Sequence, residues 1–513
     1  MSYRNYLLLF ILLLPSFLFR DYTPDNELRY LSIADEALRN NSLFAFYNHG
    51  LAYADKPPLY LWLVMLGKWI FGTHSMLYLS LLSVIPAAIT LKVMDKWVEP
   101  VLNKSNRISL QLMLGSAAYF IGSALVLRMD MLMTMFIVLA LYTFYKMYSG
   151  KGSKHSSTLF PLYVFLALFS KGPVGLLLPL LAVLVFLIFE GKIKTFSKYW
   201  GLKAWSILLL ACALWFSLVY WEGGKEYLNN LLFKQTVNRA IDAFHHKRPF
   251  YYYFVSIWYI LAPWSIFIIT IIIAAISKRN IITALERLFL TIAAVTMLML
   301  SMFSSKVDVY MLPALPFFAA LALLIMQKNN YPFARWLLAV PIAIITLASI
   351  AGLVLIGNPK FDIPSHPLIY AAISVLLVAG IGSLFQLFKK QSINQTINTF
   401  ALGLLLTVFL ASFALPSLND KIGYAAICKA GEQLSEKSTD KHYYRYNVRR
   451  GENMDVYLNQ SPTELTDADI EQNKIGKGVL FYRTKDLQKN VFLKKAVEGK
   501  PSITKGAYTA VLF

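Results

Sequence analysis

The chain has 513 residues, 57% of them hydrophobic and only 15% charged, with a mean hydropathy of +0.53. A soluble globule carries about 25% charged residues, so this composition excludes one large water-soluble core. The formal net charge of +21 raises nucleic acid as a partner, but the cations sit largely in short links between apolar runs, the positive-inside pattern of a membrane protein.

Apolar stretches long enough to cross or enter a bilayer number about thirteen, near 5–20, 75–92, 108–127, 131–147, 159–170, 174–190, 204–221, 251–277, 286–303, 309–326, 335–356, 367–387 and 397–415. The first has no small-residue cleavage site before Arg20-Asp21 and reads as a retained span, not a signal peptide. With the N-terminus in the cytoplasm, the cytoplasmic links hold Lys92, Lys96, Lys104 and Arg107; Lys146, Lys151 and Lys154; Lys192, Lys194 and Lys198; Lys278, Arg279 and Arg287; Lys328 and Arg335; Lys389 and Lys390. The opposite links hold the unusual residues and face the periplasm if the cell is bacterial. Cys212 lies in a span and Cys428 in the tail, so no disulfide framework is expected.

Two outer regions exceed linker length. In the first, 21–74, Thr23-Pro24 predicts a helix N-cap followed by proline at the first helical position. Leu28, Leu31, Ala34 and Leu38 recur at helical spacing and predict an amphipathic helix along the membrane. After Pro57-Pro58, the apolar segment 59–71 is too short to span and suits an interfacial helix. The second region is the tail, where 442–448 and 478–482 read as strands and 425–436 as a helix. The expected fold is therefore all-α and polytopic, with about thirteen transmembrane helices. Residues 1–415 form the membrane domain, including outer loops 21–74 and 222–250, and 416–513 a small α/β domain outside the cytoplasm.

The outer links carry acids and cations together. Asp25 and Glu27 open the first-loop helix, where acids also oppose the helix dipole, and Asp130 with Arg128 sits at the mouth of a span. These carboxylates are candidates to deprotonate or orient an attacking hydroxyl. Lys56 before two prolines, Lys171 before Gly172-Pro173, Arg239, Lys247, Arg248 and Lys306 are cations on the face that normally lacks them. Such a set calls for an anionic ligand, and a lipid phosphate or pyrophosphate fits best. Tyr310 adds a phosphate donor, and Asp55 with His246 makes an O/N pair for a metal. No Walker motif, dinucleotide glycine fingerprint or cysteine metal cluster occurs, so no nucleotide or redox cofactor is expected.

In order along 1–330, these motifs resemble the bacterial relatives of the protein O-mannosyltransferases, above all the 4-amino-4-deoxy-L-arabinose lipid A transferases of glycosyltransferase family 83. Glu27-Leu28-Arg29-Tyr30 resembles the family's acidic first-loop motif, and Tyr53 to Pro58 its Tyr-x-x-Lys-Pro-Pro segment. Arg128-Met129-Asp130-Met131 resembles the second-loop acid, and Ser170-Lys171-Gly172-Pro173 the Thr/Ser-Lys-Gly motif. Arg239 with His246 to Tyr252 resembles the long-loop signature, and Ser305-Lys306 with Tyr310 and Pro313 the Ser-Lys-Leu-Pro-x-Tyr-x-Leu-Pro motif. The resemblance implies the GT-C fold in the bacterial inner membrane. It implies transfer of a sugar from a polyprenyl (undecaprenyl) phosphate carrier to lipid A or another envelope acceptor on the periplasmic face. It places Lys56, Lys171, Arg239 and Tyr310 around the carrier phosphate, and Asp130 with an acid near 25–27 at the reaction centre. It also admits a divalent metal near the first-loop acid and His246. Where the family has Asp-Glu this chain has Asn26-Glu27, preceded by Asp25. The alternatives are transfer to protein Ser/Thr, as in the O-mannosyltransferases, and a lipid or sugar transporter, which would bury ionisable groups mid-span in paired broken helices.

Overall fold

The computed structural model describes residues 3–233, 247–356, 358, 366–436 and 442–513. The chain divides into two compact units. The first comprises Met1–Pro15, Ala54–Tyr60 and Met76–Ala411; the second comprises Ser16–Tyr53, Leu61–Ser75 and Ser412–Phe513. This boundary differs from a division at 415/416, because most of the first outer loop groups with the tail.

The first unit is helical. Among the described residues, eight helices are long and apolar enough to cross a membrane, or nine if a pair bent by 61°, Lys104–Gly115 and Ala118–Leu125, is one span. The helices Ser156–Lys171, Val174–Phe189 and Ser265–Ser277 are apolar but shorter. Burial separates centre from periphery. The segment Asp308–Lys328 has 89% of its most apolar window buried, whereas Pro367–Phe388 has 17% and exposes Val378, Ile381 and Phe385. Exposed apolar faces of this kind suit a hydrocarbon solvent.

Helix starts follow local chemistry. Asn103 caps Lys104–Gly115 by accepting from the Asn106 amide at 2.9 Å, and Thr283 with Glu286 forms a capping box on Ala284–Met302. Several of the cations between the helices are paired: Arg107 with Asp95 and Glu99, Arg287 with Glu190, and Lys328 with Glu286.

Two apolar runs that read as single spans are interrupted. The 108–127 stretch breaks at Ser116-Ala117, and 251–277 breaks at 261–264 between helices Tyr252–Ile260 and Ser265–Ser277. The interruptions satisfy each other. The Ala118 amide donates to the Ala262 carbonyl at 2.9 Å, and Trp264 Nε1 donates to Ser116 Oγ at 3.1 Å. Backbone groups freed inside an apolar segment need such partners, because lipid offers none.

In the second unit, a π turn at Pro24–Leu28 leads into the helix Arg29–Asn40. As expected, Thr23 is the N-cap residue and Pro24 follows at the start of the turn, but the Thr23 side chain makes no capping hydrogen bond. Its hydroxyl donates to Glu27 Oε2 at 2.9 Å and accepts nothing from the turn. The helix does not keep one free polar face either: Ser32 and Asp35 are buried along with Tyr30, Leu31, Ile33, Ala34 and Ala37. A hairpin of β1 (Tyr47–Asn48) and β2 (Leu51–Ala52) follows, then the helix Leu59–Phe71, whose Leu66, Trp69, Ile70 and Phe71 are exposed.

The tail forms a five-stranded mixed sheet of β3 (Tyr443–Tyr446), β4 (Thr463–Glu464), β5 (Val479–Arg483), β6 (Ser502–Lys505) and β7 (Tyr508–Leu512), in the order β4-β3-β5-β7-β6. Strands β4, β3 and β5 are parallel, and β7 runs antiparallel to β5 and β6. Tyr446, Leu480, Tyr482, Leu493 and Val511 form a core on one face, and the helix Ala425–Ser435 packs against β5, β6 and β7. Asp21 ties the first-loop stretch to the tail inside this unit. It accepts from Tyr457 Oη at 2.5 Å and the Ala425 amide at 2.9 Å.

Candidate active site

Two successive helices of the first unit return a charged residue to the same end. Asp130 opens the helix Asp130–Tyr148, and Lys171 closes Ser156–Lys171, which packs against it. The turn after Lys171 needs its glycines. Gly172 has φ +116°, a region that side chains rarely enter, and a Cβ on Gly175 would lie 2.3 Å from the Ala167 carbonyl carbon. The Ser-Lys-Gly-Pro motif is thus a tight reversal that holds Lys171 at the mouth of a helical hairpin.

Lys171 Nζ forms an ion pair with Asp130 Oδ1, and Arg128 Nε donates to Asp130 Oδ2 at 2.9 Å. The Asp130 side chain is 1% exposed, Lys171 7% and Arg128 26%. Two cations flank one carboxylate. A carboxylate buried without such partners would cost several kcal/mol. The Lys171 ammonium also sits 4.1 Å from the centroid of the Tyr310 ring, within cation–π range. Arg128, Asp130, Lys171 and Tyr310 therefore meet.

Tyr310 lies on the 3-10 helix Asp308–Ala314. Lys306, just before it, is buried and donates to the carbonyl of Arg248 at 3.1 Å and to that of Phe303. Burial pulls its pKa below the usual lysine value. Lys306 thus latches residues 247–248 to the end of the helix Ala284–Met302, where Lys247 bridges Ser305. The Lys306 ammonium has three N–H donors, so those two carbonyls leave one.

One group escaped the sequence reading. Asp308 Oδ1 accepts from Tyr252 Oη at 2.6 Å and Tyr259 Oη at 2.7 Å, and Oδ2 accepts from Tyr119 Oη at 3.0 Å. The available signal was an acid in a link between apolar runs, standing where the Ser-Lys-Leu-Pro-x-Tyr motif has its proline.

The other candidates are placed as follows. Lys56 is half-buried in the first unit and donates to the Asp55 carbonyl at 3.2 Å. Arg239 and His246 lie outside the described residues. Among the described residues no group of three or more His, Cys, Asp or Glu side chains is placed to hold a metal. Asp25 and Glu27 belong to the second unit. Asp25 pairs with Arg449 at 2.9 Å on the surface. Glu27 is wholly buried; Arg20 grips both its oxygens at 2.6 and 2.8 Å, and the Thr23 amide and hydroxyl donate to Oε2 at 2.7 and 2.9 Å. Asn26 Oδ1 accepts weakly from Arg29 at 3.3 Å.

No family model matches the chain. Over 424 residues it is 24% identical to an uncharacterized protein of Aquifex aeolicus, covering 82% of this chain and 79% of that one. Over 251 residues it is 26% identical to the undecaprenyl phosphate-alpha-4-amino-4-deoxy-L-arabinose arabinosyl transferase of Edwardsiella ictaluri; that match covers 47% of this chain and spans less than half, 44%, of the relative. The crystal structure of ArnT from Cupriavidus metallidurans bound to undecaprenyl phosphate aligns with a TM-score of 0.77 and 16% identity, covering 99% of this chain and 98% of that one. The chain thus shares the ArnT fold and is similar in sequence to named transferases.

Proposed function

We propose that this multi-pass membrane protein is a glycosyltransferase that moves a sugar from undecaprenyl phosphate to a lipid A-type acceptor. The named relatives and the shared fold support the reaction class. The observation that carries it on this chain is the meeting of Arg128, Asp130, Lys171 and Tyr310, which gathers two cations and a phenol where a phosphate could bind. Localisation follows from the same reading: the bacterial inner membrane, with the site opening to the periplasm.

An acceptor oxygen attacks the anomeric carbon, and the bond from that carbon to the carrier phosphate breaks. The electron pair leaves on the phosphate oxygen, so negative charge grows there in the transition state. Lys171 and Arg128 are positioned to neutralise it in a site largely closed to water. Asp130 orders both cations, and Tyr310 orders Lys171 from the other side. Lys56 is a further phosphate ligand, and Arg239 stays a proposal on the motif alone. An acceptor that is itself a phosphate needs no strong base, which accommodates Asn26 at the family's aspartate position. Glu27 then holds the loop through Arg20 and Thr23. A divalent metal involving Asp55 and His246 is not needed for this scheme.

The test is reconstitution. The purified chain, undecaprenyl-phosphate-linked 4-amino-4-deoxyarabinose and lipid A should give a glycosylated lipid by mass spectrometry, with Lys56→Ala strongly impaired yet folded. Absence of product with wild-type protein would reject the reading, and glycosylated periplasmic protein in its place would move the acceptor to Ser/Thr.

A further inference from the structure

The tail covers its large apolar side chains, with one adjacent pair excepted. Among its described residues, Val491 and Phe492 are the two left exposed, at 65% and 51%. They open the helix Val491–Val497. Leu493 is fully buried in the tail core, and Val497 packs against that core. Burying these two positions, four residues apart, turns Val491, Phe492, Lys494 and Lys495 outward. Asn490 Oδ1 caps the helix by accepting from the Phe492 and Leu493 amides, both at 3.0 Å, and its Nδ2 donates to Tyr446 Oη at 2.9 Å. The apolar pair is therefore a braced projection and not a frayed end.

Charge gathers around the same pair. Lys494 and Lys495 follow Val491 by three and four residues, and Lys489 precedes it by two. Lys485 lies on the 3-10 turn Thr484–Gln488, which packs against the helix. All four lysines are exposed, and among the described residues none forms an ion pair. Arginines of the same tail behave otherwise: Arg445 pairs with Glu452 and Glu464, and Arg449 with Asp25. Acids near the patch are few. Within 485–500 they are Asp486, which is buried, and Glu498. On the packed helix Asp467–Glu471, Asp467 accepts from Tyr446 Oη and Asp469 from the Thr466 hydroxyl, and Glu471 completes the set.

An exposed valine and phenylalanine flanked by unpaired ammonium groups match a bilayer surface with anionic headgroups. The apolar pair enters the acyl boundary and the lysines meet the headgroups. Chain connectivity supplies the encounter, because the tail follows directly on Ile393–Ser412, a helix long and apolar enough to cross a membrane. We propose that Val491 and Phe492, with Lys485, Lys489, Lys494 and Lys495, form a docking surface that seats the tail on the anionic headgroups of a lipid bilayer. This surface is independent of the transferase reading.

Lipid quenching tests it. The full chain with Cys212→Ala and Cys428→Ala carries a fluorophore on Gln488→Cys, an exposed position beside the patch that leaves the patch intact. It is reconstituted into nanodiscs of phosphatidylcholine, with or without phosphatidylglycerol, each holding a spin-labelled lipid as quencher. Quenching should be strong in the anionic discs, weaker in the neutral ones and reduced by high salt. Val491→Ser/Phe492→Ser should abolish it. Lys494→Gln should lower the docked-to-free ratio about fivefold, the scale of one lysine near an anionic surface. These are surface changes, so Tm should hold. No quenching in either disc would overturn the proposal and leave the surface to a protein partner. Equal quenching in both discs, or quenching unmoved by the double serine variant, would overturn it as well.

Discussion

Two buried carboxylates, Asp130 in the first unit and Glu27 in the second, look alike in the sequence and differ in the structure. Glu27 is held by Arg20 and Thr23, seven and four residues away, and its oxygens take four hydrogen bonds from that short loop. Asp130 is held across the fold by Lys171, 41 residues away, and by Arg128. A locally satisfied acid braces its own loop. An acid that draws a distant cation to its own end of the fold can instead present that cation to an anion from outside.

The contrast breaks first, and hardest, at Lys171. Lys171→Met should lower transfer about 10³-fold, as for loss of a main electrostatic contact. It should also cost about 3 kcal/mol, because buried Asp130 keeps Arg128 but loses its other ion-pair partner. The double variant Asp130→Asn/Lys171→Met should recover thermal stability and not transfer. If transfer returns with stability, the pair is only structural. Gly175→Ala comes next. Its methyl group has to displace the Ala167 backbone, so a loss of about 1–3 kcal/mol and about tenfold slower transfer are expected from the shifted reversal. Unchanged kinetics would show that Lys171 does not depend on that turn.

Glu27→Gln sharpens the other side. The loop should lose about 2 kcal/mol, read as a lower Tm, while transfer at saturating donor changes less than about threefold. A kinetic loss far beyond that would put Glu27 at the reaction centre and dissolve the contrast.

The smallest effect concerns pH in the second unit. Burial alone would raise the Asp35 pKa, but hydrogen bonds and charge from His74 and Lys68 prevail and hold it below the usual carboxylate value. Its stabilisation is therefore full above the unfolded pKa of about 3.9 and fades as pH falls through the lowered one. Asp455 moves the other way. Burial raises it, and the Asp35 charge adds to that against His49, Arg39 and the Ser32 hydroxyl. Its contribution is full below about pH 3.9 and is lost as pH rises through the raised value. Asp455→Asn should thus raise Tm by about 2 °C near neutrality and give no gain near pH 3.5. A gain that is the same at both pH values would remove ionisation as the cause.

Much of this was legible in composition and pattern. Apolar runs located the helices, because a lipid-facing segment has few other ways to be written. Glycine and proline after Lys171 announced a reversal. Counting residues through two antiparallel helices even returns Asp130 and Lys171 to one end, although their contact needs the packing of those helices. The break at Ser116-Ala117 was not legible, since no proline marks it and its partners come from residues 262 and 264. The role of Lys306 was hidden for a similar reason: carbonyls of other segments leave no trace in side-chain identity. Asp308 was passed over because its meaning depends on tyrosines at 119, 252 and 259, each of which reads alone as an interface aromatic.

The reciprocal bonds between residues 116–118 and 262–264 carry a historical consequence. Neither kink can migrate along its helix by even one residue without orphaning an amide or an indole on the other. Across related chains the two kinks should move in step or stay put, and inserting a residue upstream of one should be tolerated only with a matching insertion upstream of the other.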